Sequence, residues 1–288
     1  MTDRHSDTAQ IDRYAVFGNP IAHSKSPLIH RLFARQTGQE LEYTAIEARI
    51  GHFDPSVRAF LAGNGRGLNV TVPFKEDAWR FADTHSARAE RAGAVNTLIK
   101  QEDGTVYGDT TDGVGLVTDL TVNHGITLAD KDILVIGAGG AVRGVLEALL
   151  SHQPASLFIA NRTASRASAL AADFSDMGNI SGGGLDDVAE RRFDVIINGT
   201  SASLQGELPD LPATIFAPGA CSYDMMYAAD DTPFMTWSRD NGASRCFDGL
   251  GMLVEQAAES FYLWRGVRPE TASVITAVRD QLKNQPGG

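Results

Sequence analysis

The sequence predicts an α/β protein of two domains, the second built on a mostly parallel, doubly wound sheet. Three observations carry this. The chain has 288 residues, enough for two domains with cores of ordinary size. From Ile133 onward short apolar strands alternate with helical patterns, as a parallel sheet with crossover helices requires. The stretch from Asp132 to Gly144, D-I-L-V-I-G-A-G-G-A-V-R-G, places an apolar strand, three glycines within four positions and a helix start in direct succession.

Composition narrows what such a protein does. Hydrophobic residues make up 43% and charged residues 21% of the chain, as in globular proteins. A formal net charge of -11 argues against nucleic acid or an anionic membrane as partner. It leaves room for small anionic ligands held by local Arg and Lys side chains. The two cysteines, Cys221 and Cys246, have no metal-ligand spacing, which fits a reducing compartment and no bound metal. The start, M-T-D-R-H-S-D-T-A-Q, lacks the apolar core of a signal peptide, and no apolar run reaches membrane-spanning length. A cytoplasmic enzyme or binding protein with a small-molecule partner is expected, and a homodimer is compatible with this composition.

In chain order, Tyr14 to Phe17 reads as a strand stopped by Gly18-Asn19-Pro20. I-A-H-S-K-S-P follows, then a helical pattern from Leu28 through Phe33. Ser26 before Pro27 suits an N-cap with proline at the first helical position. That accounts for Ser26 but not for Ser24, and hydroxyls beside a helix N-terminus also suit a carboxylate. A strand near Leu41 to Ile46 and a helix near Phe53 to Gly63 come next. In G-L-N-V-T-V-P-F-K, residues 67 to 75, Leu68, Val70 and Val72 alternate with Asn69 and Thr71, the period of a strand with one apolar face. The plainest reading of Asn69 and Thr71 is a solvated face, and of Lys75 a surface lysine.

Helical, charged sequence runs from Glu76 to Arg91, and Ala94 to Ile99 is a strand with an Asn96-Thr97 step inside it. Asp103-Gly104 marks a hairpin turn. G-D-T-T-D-G leads to a helix from Val114 to Leu120, which Asp112 suits as an N-cap. The glycines after Ile136 allow a pyrophosphate to rest on the N-terminus of the next helix. The strand Ser156 to Ala160 then ends in N-R-T-A-S-R. An NAD site wants an acid there for the ribose hydroxyls; Asn161 stands in its place, with Arg162 and Arg166 beside it. Guanidiniums pair with a 2′-phosphate, so NADP is the expected cofactor. Phe193 to Ile197 is a buried strand ending in N-G-T-S at the carboxyl edge, where ligands of open α/β sheets sit. Ala220 to Tyr223 and Ala243 to Phe247 are further strands. D-G-L-G-M-L opens a helix reaching about Trp264, and residues 270 to 283 form a last helix.

Seven motifs in order give the chain a resemblance to the shikimate dehydrogenase family. They are G-N-P-I-A-H-S-K-S-P at 18–27, N-V-T-V-P-F-K at 69–75, G-A-V-N-T-L at 93–98, T-D-G-V-G-L at 111–116, G-A-G-G-A at 137–141, N-R-T-x-x-R at 161–166 and D-G-L-G-M-L at 248–253. The resemblance implies NADP-linked interconversion of shikimate and 3-dehydroshikimate in aromatic amino acid biosynthesis. It implies that Ser24 and Ser26 hold the substrate carboxylate and that Asn69, Thr71, Asn96 and Gln256 bind ring hydroxyls. Lys75 and Asp112 would flank the hydroxyl that is oxidised, with Tyr227 near the substrate. Gly137, Ala138, Gly139, Gly140, Ala141, Asn161, Arg162, Thr163, Arg166, Thr200, Met225 and Gly249 would meet the cofactor.

Oxidising a secondary alcohol gives a hydride to the nicotinamide and a proton to a base. Burial tunes a lysine toward that task while a neighbouring carboxylate opposes the change, so Lys75 and Asp112 are expected to titrate together. The expected domains are 1–112 with 248–288 for substrate and a Rossmann-like 113–247 for NADP, with the site in the cleft between them. Three positions depart from the family pattern: Thr110 where Asn is usual, N-G-T-S-A-S at 198–203 where N-A-T-S-x-G is usual, and Val142 where a small residue is usual.

Overall fold

The computed structural model describes residues 11–200, 208 and 210–284. The polar start, the Ser201–Ser203 part of the N-G-T-S-A-S loop and the last four residues of the tail lie outside the described residues. The chain divides into two compact units, Met1–Asp109 with Ser260–Pro269, and Thr110–Glu259 with Glu270–Gly288.

The first unit carries a six-stranded mixed sheet, β1 (Asp12–Gly18), β2 (Leu41–Glu47), β3 (Gly65–Val70), β4 (Thr84–His85), β5 (Thr97–Lys100) and β6 (Val106–Asp109), in the order β2-β1-β3-β5-β6-β4. β1 runs parallel to β2 and β3, whereas β5 is antiparallel to β3 and β6. One face buries Ala15, Phe17, Leu68, Val70 and Leu98 with side chains of α2 (Phe53–Ala62) and α3 (Lys75–Phe81). The other face meets His30 and Phe33 of α1 (Ser26–Thr37) and the end of α9 (Leu250–Arg265), whose Trp264 Nε1 donates to the Leu98 carbonyl at 3.1 Å.

Two elements of this unit differ from expectation. β3 stops at Val70, and Val72 is 64% exposed rather than on an apolar face. The helical stretch from Glu76 to Arg91 is interrupted by β4, which pairs with β6 at Tyr107 and Gly108. Asp83 accepts from the Val106 N–H, and Ser86 caps a separate helix, α4 (Ala87–Ala92), by accepting from the Ala89 N–H. The pairing with β6, the Asp83 bond and the local Ser86 cap compensate for the helical turns lost.

The second unit is the doubly wound sheet that was expected. β7 (Asp132–Ile136), β8 (Ser156–Ala160), β9 (Ile180–Gly183), β10 (Phe193–Asn198), β11 (Phe216–Asp224) and β12 (Arg245–Asp248) are all parallel, in the order β9-β8-β7-β10-β11-β12. Within the unit this is the strand order 3-2-1-4-5-6 of a dinucleotide fold. Both faces are covered: Ile133, Val135, Ile159 and Ile197 point to one core, and Leu134, Ile136, Phe158 and Ile196 to the other. That is why the strands read as continuous apolar runs instead of alternating ones. α6 (Gly140–Ser151) and α7 (Ala164–Ala172) follow β7 and β8. β9 and α8 (Pro233–Asp240) have no counterpart in the sequence reading.

The contacts also divide the chain differently from the expected 113–247 segment, because residues 248–259 and α10 (Ala272–Asn284) belong to the second unit. Arg279 donates to both oxygens of Asp248, at 2.7 and 2.5 Å. The Glu255 carboxylate accepts from Asn123 at 2.9 Å and Thr271 at 2.7 Å. A methyl group at Gly251 would overlap the carboxylate of Asp119. Asp119 opens a π-helical turn, Asp119–Asn123, that continues α5 (Asp112–Thr118), and its buried carboxylate accepts from the Tyr223 hydroxyl at 2.6 Å.

Candidate functional site

In the first unit the parallel strands β1 and β3 bring two of the motifs together at their carboxyl ends. The Asn19 N–H donates to the Val72 carbonyl at 3.1 Å, and a methyl at Gly18 would lie 2.6 Å from the Thr71 side chain. The loop carrying Ser24 and Ser26 therefore starts against the loop carrying Thr71 and Lys75. Ser26 is not the N-cap of α1. The helix begins one residue earlier, because the Lys25 carbonyl already accepts from the Ile29 N–H, and Lys25 holds the cap position without a side-chain capping bond. Ser24 Oγ accepts from the Ser26 N–H at 3.3 Å, and Ser26 is buried. Lys75 opens α3 half-buried, and its carbonyl accepts from the Val95 N–H at 2.9 Å, next to Asn96.

Asn69 and Asn96 are buried rather than solvated. Asn69 Nδ2 donates to the Asn96 carbonyl and Thr97 Oγ1, each at 3.2 Å, and to Ser260 Oγ at 3.0 Å. Thr97 Oγ1 in turn donates to Asn96 Oδ1 at 2.8 Å. Sequence reasoning missed three members of this cluster: Tyr43, Ser260 and His30. Burial pushes the His30 imidazole down to about 3, with the Asn69 side chain offsetting part of that effect. The ring is thus neutral at physiological pH.

In the second unit Asp112 is the first residue of α5, Thr111 being the cap, so the capping reading of Asp112 does not hold. It is 8% exposed, an uncommon place for an aspartate. Thr111 Oγ1 donates to Gln256 Oε1 at 3.3 Å, and a methyl at Gly115 would meet the Gln256 backbone. Gln256 and Asp112 are therefore neighbours within this unit. Burial first, and the Asp248 charge second, raise the Tyr227 phenol above its ordinary value, so it stays a proton-bearing donor.

The residues expected to meet the cofactor follow the carboxyl ends of β7, β8, β10, β11 and β12, with Gly137 and Thr200 where β7 and β10 adjoin and the strand order reverses. Gly137 has φ +109° and packs against Thr200 and Gly199. A side chain at Gly139 or Gly140 would meet nothing within 4 Å. The α6 N-terminus has no side-chain cap and no acid in its first turn, which leaves it open to a diphosphate. Arg162, Thr163 and Arg166 are exposed at the start of α7, and Asn161 Nδ2 holds the turn by donating to the Thr163 carbonyl at 3.0 Å. Thr200 donates to Asn198 Oδ1, Asn198 donates to the fully buried Asp224, and Met225 N–H donates to the Asn198 carbonyl. Gly249 lies directly on the Met225 carbonyl. An uncapped helix start, an open glycine turn and two exposed guanidiniums fit NADP.

Two positions that depart from the family pattern, Val142 and Gly199, are coupled. A methyl at Gly199 would overlap Cγ2 of Val142, which is fully buried in α6. A helical valine has a single favoured rotamer and cannot swing away. The larger residue at 142 thus requires the smaller one at 199. Gly199→Ala alone is expected to destabilise the protein by about 1–3 kcal/mol through overpacking, read as a fall in Tm with a weaker NADP affinity. Adding Val142→Ala is expected to restore both.

The sequence and the fold correspond to known proteins. A model of the shikimate dehydrogenase substrate binding domain matches residues 16–98, one of shikimate / quinate 5-dehydrogenase matches 120–205, and one of the shikimate 5'-dehydrogenase C-terminal domain matches 249–279. The NADP(+) shikimate dehydrogenase of Alkalilimnicola ehrlichii is 60% identical over 94% of this chain and 99% of its own length. The crystal structure of an Ael1 enzyme from Pseudomonas putida superposes with a TM-score of 0.86 at 44% identity, covering 94% of this chain and 98% of that one. Shikimate 5-dehydrogenase from Thermus thermophilus, in complex with NADP(H) and shikimate, superposes with a TM-score of 0.84 at 32% identity, covering 94% and 100%.

Proposed function

The chain belongs to the shikimate dehydrogenase family, and from that premise we infer how its side chains share the reaction. It interconverts shikimate and 3-dehydroshikimate with NADP, a step on the route to chorismate and the aromatic amino acids. We assign the substrate carboxylate to the hydroxyls of Ser24 and Ser26, and the ring hydroxyls to Asn69, Thr71, Asn96 and Gln256. Tyr227 adds a protonated phenol. Lys75 exchanges the proton of the reacting hydroxyl, and Asp112 orients that hydroxyl. Bound NADP supplies the acceptor for the hydride that leaves the same carbon. Gly137 to Ala141 receive its diphosphate on the α6 N-terminus, Arg162 and Arg166 its 2′-phosphate, and Thr200, Met225 and Gly249 border its nicotinamide end.

The observation that supports this assignment best is the burial of Asn69, Asn96 and Asp112, polar groups that a purely structural reading would place in water. We place the protein in the cytoplasm, where its two free cysteines, Cys221 and Cys246, stay reduced. Nicotinamide absorbance assays with shikimate and quinate, each against NADP and NAD, test the reading. Shikimate with NADP is expected to be the best pair by kcat/KM; quinate with NAD as the best pair would overturn it.

A further inference from the structure

Asn69 is assigned to a ring hydroxyl of the substrate, and one residue without a role of its own holds it. Tyr43 lies on β2, an edge strand. Its hydroxyl donates to Asn69 Oδ1 at 2.7 Å. The register explains the reach. Tyr43 stands opposite Tyr14 on β1, Asn69 stands opposite Val16, and all four side chains share a face. The phenol spans the intervening strand.

The ring itself is held. It stacks on His30 with centroids 4.1 Å apart and an interplanar angle of 6°, and His30 is fully buried against Phe33 and Trp264. A tyrosine has two side-chain torsions, so a stacked ring fixes where its hydroxyl sits. On the far side of Asn69, the two amide protons are committed to the Asn96 carbonyl, Thr97 Oγ1 and Ser260 Oγ. Turning the amide over would set Oδ1 against the Asn96 carbonyl oxygen and Nδ2 against the phenol proton. Its donors are therefore spent, and Oδ1 keeps one lone pair.

We propose that Tyr43 is a positioning residue of the substrate site: its hydroxyl locks Asn69 as an acceptor for a ring hydroxyl of the substrate. The proposal rests on the substrate-binding role assigned above to Asn69. A ring position bearing only an acceptor, such as a ketone, would find no donor at Asn69.

Tyr43→Phe keeps the stack and removes the hydroxyl. Steady-state kinetics are measured for this variant, for Asn69→Ala and for the double variant, with Tm recorded for each. Tyr43→Phe is expected to raise KM for shikimate about tenfold, the scale of one hydrogen bond to a buried partner. KM for NADP and kcat should change by less than about threefold. The double variant should scarcely exceed Asn69→Ala, because the phenol acts through that amide. An unchanged KM for shikimate, or effects that multiply in the double variant, would overturn the proposal. So would a fall in Tm that moves both KM values together, which marks a merely structural tyrosine. If Asn69→Ala itself leaves KM for shikimate unchanged, the substrate-site assignment fails, and the positioning role goes with it. Should Tyr43→Phe not fold, Ser260→Ala loosens the same amide from the Nδ2 side; a raised KM for shikimate is expected there too, and an unchanged one overturns the lock.

Discussion

Lys75→Ala is expected to lower kcat by about 10²–10⁴-fold, the usual contribution of a positioned general acid or base, while KM for shikimate changes by less than about tenfold. The reasoning starts from the backbone. Lys75 opens α3, whose start is anchored by fully buried Phe74 and by the bond from the Val95 N–H to the Lys75 carbonyl. Neither anchor involves the lysine side chain, so alanine leaves the helix in place. If the side chain served only to solvate the helix start, its removal would cost a few tenths of a kcal/mol in stability, as exposed substitutions do, and turnover would stay near normal. A proton carrier behaves in the opposite way: Tm holds and turnover collapses. Lys75→Gln separates charge from chemistry further, since it keeps hydrogen-bonding capacity without a transferable ammonium proton. It is expected to bind shikimate better than the alanine variant and to turn over no faster. Near-normal kcat in either variant would remove Lys75 from the reaction.

The contrast between Lys75 and its neighbours shows what a sequence discloses. The β7–glycine–α6 unit was legible because everything it needs is local: an apolar strand, a turn that requires φ > 0 at Gly137 and an uncapped helix start. The parallel sheet was legible for a related reason, since strands buried on both faces leave uninterrupted apolar runs. β9 was not, because I-S-G-G has neither alternation nor bulk. It exists by pairing with β8, where glycine lets α7 pack closely: a methyl at Gly182 would overlap the Ala167 carbonyl. The break in the 76–91 helix was hidden for the same reason, its compensating bonds lying on β6.

The substrate half divides along this line. The motif residues were nameable from order and resemblance, but Asn69 looked like part of a wet strand face until the cover supplied by Tyr43, Ser260 and His30 was in place. Those partners sit 26, 191 and 39 positions from Asn69, the first two by direct hydrogen bond, and no local period records such a pairing. Val142 and Gly199 teach the same lesson. Read singly, each is an anomaly; in space, one is the room the other needs.

The second large effect is expected at the start of α7. Arg162→Ala with Arg166→Ala should raise KM for NADP about 10²–10³-fold and leave KM for NAD within about threefold, since each charge-assisted pair with a phosphate contributes roughly ten- to thirtyfold in affinity. Both guanidiniums are exposed, and the first turn of α7 contains no acid. Cations at a helix N-terminus oppose the dipole, so a structural account gives no reason for two of them there. Their removal is accordingly expected to leave Tm unchanged or slightly raised, which separates a phosphate-binding role from a fold-supporting one. The turn itself should persist, because Asn161 Nδ2 still donates to the Thr163 carbonyl and the Asn161 N–H to the Gly183 carbonyl. Asn161→Asp added to the pair goes one step further: a carboxylate at the end of β8 can accept from the ribose hydroxyls and repels a 2′-phosphate. The triple variant is expected to prefer NAD by kcat/KM. If the double variant instead loses both cofactors equally, the two arginines act on the turn and not on the phosphate, and discrimination between NADP and NAD must come from elsewhere along the carboxyl edge of the sheet.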